Sequence, residues 1–114
     1  MTLNLIKTTT WLWIFAIAYL SLSPGSEPPT HFTYFDKLLH LGSYGLLTLL
    51  ALSGYAHLKK SKVAIGIVCY SIVIESLQLL AENRWFEIAD IVANIIGVVL
   101  AVILLIKFTK SSKV

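Results

Sequence analysis

Four stretches of mostly apolar residues, each about twenty long and separated by short polar stops, dominate this sequence: roughly 3–22, 38–58, 63–81 and 88–108. A hydrocarbon core of roughly 30 Å takes about 20 helical residues to cross. Each run therefore reads as a membrane-spanning helix. Composition agrees: 57% of the 114 residues are hydrophobic and 13% charged, whereas a soluble chain is about a quarter charged. A soluble fold of this size hides only about two thirds of its chain surface, which would leave many Leu, Ile and Val side chains in water. The predicted class is an all-α, integral membrane four-helix bundle, with 1–114 as a single domain.

The stops shape the topology. Pro24, Pro28 and Pro29 fall in one segment with Gly25 and Ser26, where they end the first helix and keep the longest connection extended. The connections at 59–62 and 82–87 are short enough to make neighbouring helices antiparallel. The first span, with Lys7 ahead of an apolar run that ends at Ser21 and Ser23, also fits a secretory signal. Its length, Pro24 beside any cleavage site and the three later spans favour a retained helix.

Seven of the nine basic residues, Lys7, Lys59, Lys60, Lys62, Lys107, Lys110 and Lys113, fall on one side of this topology. Basic residues of short loops stay on the cytoplasmic side, so both termini are expected there, in a multi-pass protein of a bacterial cytoplasmic (inner) membrane. The aromatics Phe32, Tyr34, Phe35, Trp85 and Phe86 then suit the opposite interface. No basic face or RNA-binding motif accompanies the excess of lysine, so nucleic acid is not expected as a partner. Cys69 is the single cysteine, which excludes an intramolecular disulfide and a cysteine zinc site.

Ionisable groups inside a bilayer are costly and mark functional sites. Asp36, His40 and Tyr44 recur every four residues on the second helix, along one face, with Lys37 beside them. Glu75 and Gln78 lie a turn apart on the third helix, Asp90 and Asn94 on the fourth, and Arg84 in the turn between. At 1.5 Å per residue, Gln78 lies roughly 5 Å and Glu75 roughly 9 Å below the outer end of the third helix, with His40 and Asn94 roughly 6 Å deep on theirs. The polar groups thus share one depth, in the outer third. Arg84 is placed to pair with Asp90 or Glu75, and Asp36 to orient the His40 imidazole. Ala89, Ala93, Gly97 and Ala101 form a small-residue stripe that lets a neighbouring backbone approach, and Gly42 and Gly45 offer the same on the second helix.

Three plainer readings stand beside a polar pocket. One is a clasp of interhelical hydrogen bonds, each worth about 0.6 kcal/mol, although Glu75 is a poor choice for such a role. A second is a metal site: Asp36, His40, Glu75 and Asp90 have suitable ligand types, but their spacing matches no zinc pattern, so no metal or cofactor is assigned. The third, a small proton or cation conductor, wants polar groups through the whole bilayer, and the inner half offers little beyond Ser53, Tyr55, His57 and Tyr70. Nucleophilic catalysis lacks a GxSxG elbow and leaves Cys69 six residues deeper than Glu75. General acid/base chemistry by Asp36, His40, Glu75 and Asp90 is easier to defend.

The pattern Asp36-Lys37-x-x-His40-x-x-x-Tyr44, then Glu75-x-x-Gln78, then Arg84-x-Phe86-x-x-x-Asp90-x-x-x-Asn94-x-x-Gly97 resembles the VanZ-like family of small bacterial membrane proteins, over nearly the whole chain from Ser21-Leu22-Ser23-Pro24 onward. The resemblance implies a membrane location and a cell-envelope setting; the name-giving member is associated with resistance to the glycopeptide teicoplanin. It supplies no settled reaction. The expected function is an outer-leaflet pocket that binds or modifies a lipid-linked envelope component. In it Asp36, His40, Glu75 and Asp90 serve as acid/base or binding groups. Lys37 and Arg84 meet an anionic headgroup, and Tyr44, Gln78 and Asn94 orient these groups. Whether the chain is an enzyme, a structural module, part of a homodimer or of a larger envelope complex stays open at this point.

Overall fold

The computed structural model describes residues 2–23, 34–81 and 86–112, the side chains of Tyr34 and of 110–112 excepted. Among them are four α-helices: α1 (Leu3–Leu22), α2 (Tyr34–Gly54), α3 (Lys60–Leu77), which tightens into a 3₁₀ turn at Gln78–Leu80, and α4 (Ile88–Ser112). They pack into an elongated bundle of 50 × 25 × 21 Å. Helices α1, α3 with its 3₁₀ extension, and α4 are long and apolar enough to cross a membrane.

Local chemistry sets the boundaries. Thr2 caps α1 by accepting the Leu5 N–H at 3.2 Å, which satisfies a donor the first turn leaves open. Ser23 then turns extended, ahead of Pro24, as a residue preceding proline does. The second helix covers 34–54, not 38–58. Asp36 in its first turn complements the positive end of the helix, and the chain turns straight after Gly54, where the Leu58 N–H donates to the Tyr55 carbonyl. The third starts at Lys60, three residues early, and the fourth runs four residues past Phe108.

Burial runs against the pattern of a soluble bundle. Trp11, Leu12, Phe15, Tyr19, Phe35, Leu80, Ile88 and Phe108 point outward, while Thr10, Thr48, Ser71, Glu75, Gln78, Asp90 and Asn94 are buried. So large an apolar surface aggregates in water; against lipid it has no such cost. Buried hydroxyls find partners within their own helices, as when Thr10 and Thr48 donate to the Ile6 and Tyr44 carbonyls, each at 2.8 Å.

Helix α2 carries Asp36, Lys37 and His40 in its first two turns and touches all three other helices. Its central place covers those groups with protein. Its apolar partners Leu47, Ala51 and Tyr44 join Ile17, Ile67 and Val98 in the core. The first turns of α2 and α4, the last turn of α1 and the 3₁₀ turn after α3 meet at one end of the bundle, the acidic end. Lys7 lies at the other, its ammonium 5.2 Å from the centre of the Tyr55 ring.

Candidate functional site

Close packing of α2 on α4 builds the site. A Cβ on Gly97 would stand 2.2 Å from the Leu41 carbonyl oxygen, and one on Gly45 would stand 3.3 Å from the Gly97 oxygen. The two backbones therefore touch, and Ala93 and Ala101 are buried along the same stripe. Gly42 has no such role: a Cβ there meets nothing within 4 Å. Ala89 is exposed.

This contact sets Lys37 opposite the start of α4. Its Nζ lies 2.5 Å from Asp90 Oδ1 and 3.2 Å from Asp36 Oδ2, and it also pairs with Glu87 Oε2. The Lys37 and Asp90 side chains are 12% and 7% exposed, so this ion pair is largely withdrawn from solvent. The sequence offers Arg84 as a partner of Asp90 or Glu75; Arg84 lies outside the described residues, and among those described Lys37 pairs with Asp90. The ammonium expected to meet an anionic headgroup is thus held among carboxylates. His40 faces the same carboxylates, with Nε2 3.5 Å from Asp90 Oδ2 and 3.9 Å from Asp36 Oδ1. Asp36 was expected to orient the imidazole, and Asp90 is the nearer of the two.

Glu75 and Gln78 turn to the backbone. Glu75, 1% exposed, accepts the Glu87 N–H at 2.9 Å, just before the first residue of α4. Its buried carboxylate thereby anchors the approach to that helix, where the dipole favours negative charge. Gln78 donates from Nε2 to the Ser21 carbonyl at 2.8 Å, one of the oxygens that the last turn of α1 leaves without a helical partner. Asn94 is 2% exposed, and its Oδ1 has no hydrogen-bond partner among the described residues.

A cavity of about 230 Å³ opens between α1 and α2 at the acidic end. Asp36, His40, Ser43, Tyr44 and Gln78 form its polar wall, with Trp13, Ile17, Leu20 and Leu39 among the apolar residues. The Trp13 indole is fixed there by its Nε1–H, which donates to the Ser43 carbonyl at 3.0 Å. Four of the predicted site residues, Asp36, His40, Tyr44 and Gln78, thus line one space. Lys37, Glu75, Asp90 and Asn94 stand outside its lining.

A family model described as VanZ/LLP1 matches residues 1–109. The chain belongs to the VanZ/LLP1 family. No curated protein and no solved structure matches it.

In this VanZ/LLP1 member the site has two connected parts: an ion cluster between α2 and α4, and a cavity between α1 and α2, with Asp36 and His40 common to both. An imidazole on a cavity wall, backed by a buried carboxylate, has the arrangement needed to take up or deliver a proton. Sequence reasoning missed Glu87, Ser43 and Trp13. Glu87 lies one turn before Asp90 at the start of a helix, and that spacing is the signal by which it could have been found.

Proposed function

We propose that this VanZ/LLP1 protein lies in the bacterial cytoplasmic membrane and binds, or modifies, a lipid-linked component of the cell envelope in the cavity between α1 and α2. The observation that carries this reading is the cavity's two-sided lining. Its polar residues, Asp36, His40, Ser43 and Gln78, suit a hydrogen-bonding headgroup, while Trp13, Ile17, Leu20 and Leu39 suit the start of an acyl or prenyl chain. Such sites are concave and mostly apolar with a few placed polar groups. The envelope setting follows the association of the family's name-giving member with teicoplanin resistance.

The orientation belongs to the same reading. Lys7, Lys59, Lys60 and Lys62 gather at the end away from the acidic cluster, and the retention of basic loops on the cytoplasmic side supports cytoplasmic termini and an outer-leaflet cavity. A cytoplasm-active reporter fused after Val114 is expected to be functional and a periplasm-active one silent; the reverse result inverts the pocket.

Ala16 lines the cavity beside Ile17, and phenylalanine there fills it. Native mass spectrometry with a short-chain prenyl diphosphate sugar is expected to show retention by the wild-type chain and a loss of affinity of about tenfold or more, about 1.4 kcal/mol, in Ala16→Phe. Equal retention by a well-folded Ala16→Phe variant would remove the cavity as the binding place.

A further inference from the structure

We propose that Asp36, His40 and Asp90 form a binding site for a divalent cation at the acidic end of the bundle. One oxygen of each carboxylate serves Lys37: Asp36 Oδ2 and Asp90 Oδ1. The other two, Asp36 Oδ1 and Asp90 Oδ2, turn toward His40 Nε2 at 3.9 and 3.5 Å. Both separations exceed the roughly 2.7–3.2 Å of an N–H···O hydrogen bond. Neither His40 contact is thus a close hydrogen bond, and one ligand atom from each of Asp36, His40 and Asp90 lies within 4.8 Å of the others.

Those distances suit a shared ion. Ligands stand about 2.0–2.2 Å from zinc, which puts neighbouring ligands on one ion roughly 3–4 Å apart. The two His40 distances already lie in that range. Charge points the same way: Asp36, Glu87 and Asp90 surround Lys37, and three carboxylates against one ammonium leave a formal −2 in this described cluster. Unneutralised charge in a partly buried site is costly, and a divalent ion removes this surplus without displacing the lysine, because it uses the oxygens Lys37 does not.

The position leaves the ion accessible. Asp36 and His40 also line the 230 Å³ cavity, so a cation held by three protein ligands would keep a position open toward that space, the arrangement of catalytic metal sites rather than closed structural ones. One imidazole with two carboxylates selects a borderline ion such as Zn²⁺ over Mg²⁺, which takes oxygen ligands and keeps its waters. The sequence alone gives no zinc spacing because Asp90 comes from a different helix, 50 residues beyond His40.

The site is tested with the metal alone, so its outcome is independent of any lipid. Purified full-length protein in detergent, stripped with chelator, is titrated with Zn²⁺ by calorimetry and with Co²⁺ by its visible absorption. The expected result is one ion per chain, a Zn²⁺ Kd at least tenfold weaker in His40→Ala and in Asp36→Asn, and an unchanged Kd in His57→Ala, whose side chain is exposed beyond the end of α2. Asp36 has a half-exposed side chain, so Asp36→Asn decides the matter should His40→Ala fail to fold. Absence of stoichiometric binding in the wild type, binding that survives Asp36→Asn, or binding lost in His57→Ala overturns the proposal.

Discussion

Gly97→Ala is expected to lower the thermal midpoint of the detergent-solubilised protein by roughly 10 °C or more, the largest effect of an added methyl group among the described glycines. The added Cβ would stand 2.2 Å from the Leu41 oxygen, 3.0 Å from its carbon and 3.2 Å from the Gly45 nitrogen. All three are backbone atoms of a helix, so no side chain can rotate out of the way, and α2 and α4 must separate. Overpacking in a core costs about 1–3 kcal/mol where side chains can adjust; here they cannot, and a value at or above the top of that range is expected. Each kcal/mol moves the midpoint of a domain near this size by about 4–8 °C. Because the same contact sets Lys37 and His40 opposite Asp90, the variant should also lose the ion cluster. Gly42→Ala is the control: its Cβ meets nothing within 4 Å, and alanine in a helix gains about 0.5–1 kcal/mol over glycine, so its midpoint should hold or rise. Gly45→Ala, with one contact at 3.3 Å, should fall between them. Equal midpoints for Gly97→Ala and Gly42→Ala would show that close α2–α4 contact does not hold the bundle.

The second large effect is expected from Lys37→Met. Methionine fills similar volume but leaves Asp36, Glu87 and Asp90 facing one another, with Asp90 only 7% exposed. Removing one partner of a buried ion pair costs about 3–5 kcal/mol; with Asp36 half-exposed, a loss of about 3 kcal/mol is reasonable. Most of that cost belongs to the stranded carboxylates. The double variant Lys37→Met with Asp90→Asn should therefore recover at least half of it, a non-additivity that a double-mutant cycle reads directly. Additive single effects would mean that the two side chains are not coupled across α2 and α4.

Much of the architecture is legible in the sequence because it depends on length and period. Apolar runs of twenty residues place the helices, prolines end the first, and four-residue spacing correctly puts Asp36, His40 and Tyr44 along one cavity. The small-residue stripe on α4 is equally plain, and its closest approach does fall at Gly97. Helix boundaries were less clear: the second helix begins four residues before the apolar run, because charged Asp36 and Lys37 belong to the first turn of α2.

The site was legible as a set of residue types but not as a set of partners. Gly42 and Gly45 look alike in the sequence and lie about 60° apart around the helix, yet only Gly45 meets α4. Arg84 is the near cation along the chain and lies outside the described residues; among those described, the ammonium on Asp90 comes from Lys37, 53 residues away. Glu75 reads as an acid or base in the sequence and as an acceptor for the Glu87 N–H in the fold.

By itself, then, the sequence determined that this chain makes apolar helices, three of those described being of membrane-spanning length, because hydrophobic length and helical rise are local properties. Which carboxylate meets which cation was decided only by the tertiary structure. Those pairings depend on how far each helix is rotated about its own axis. That rotation is set by the backbone contact of Gly97 with Leu41 and Gly45, a contact between distant parts of the chain that no local pattern encodes.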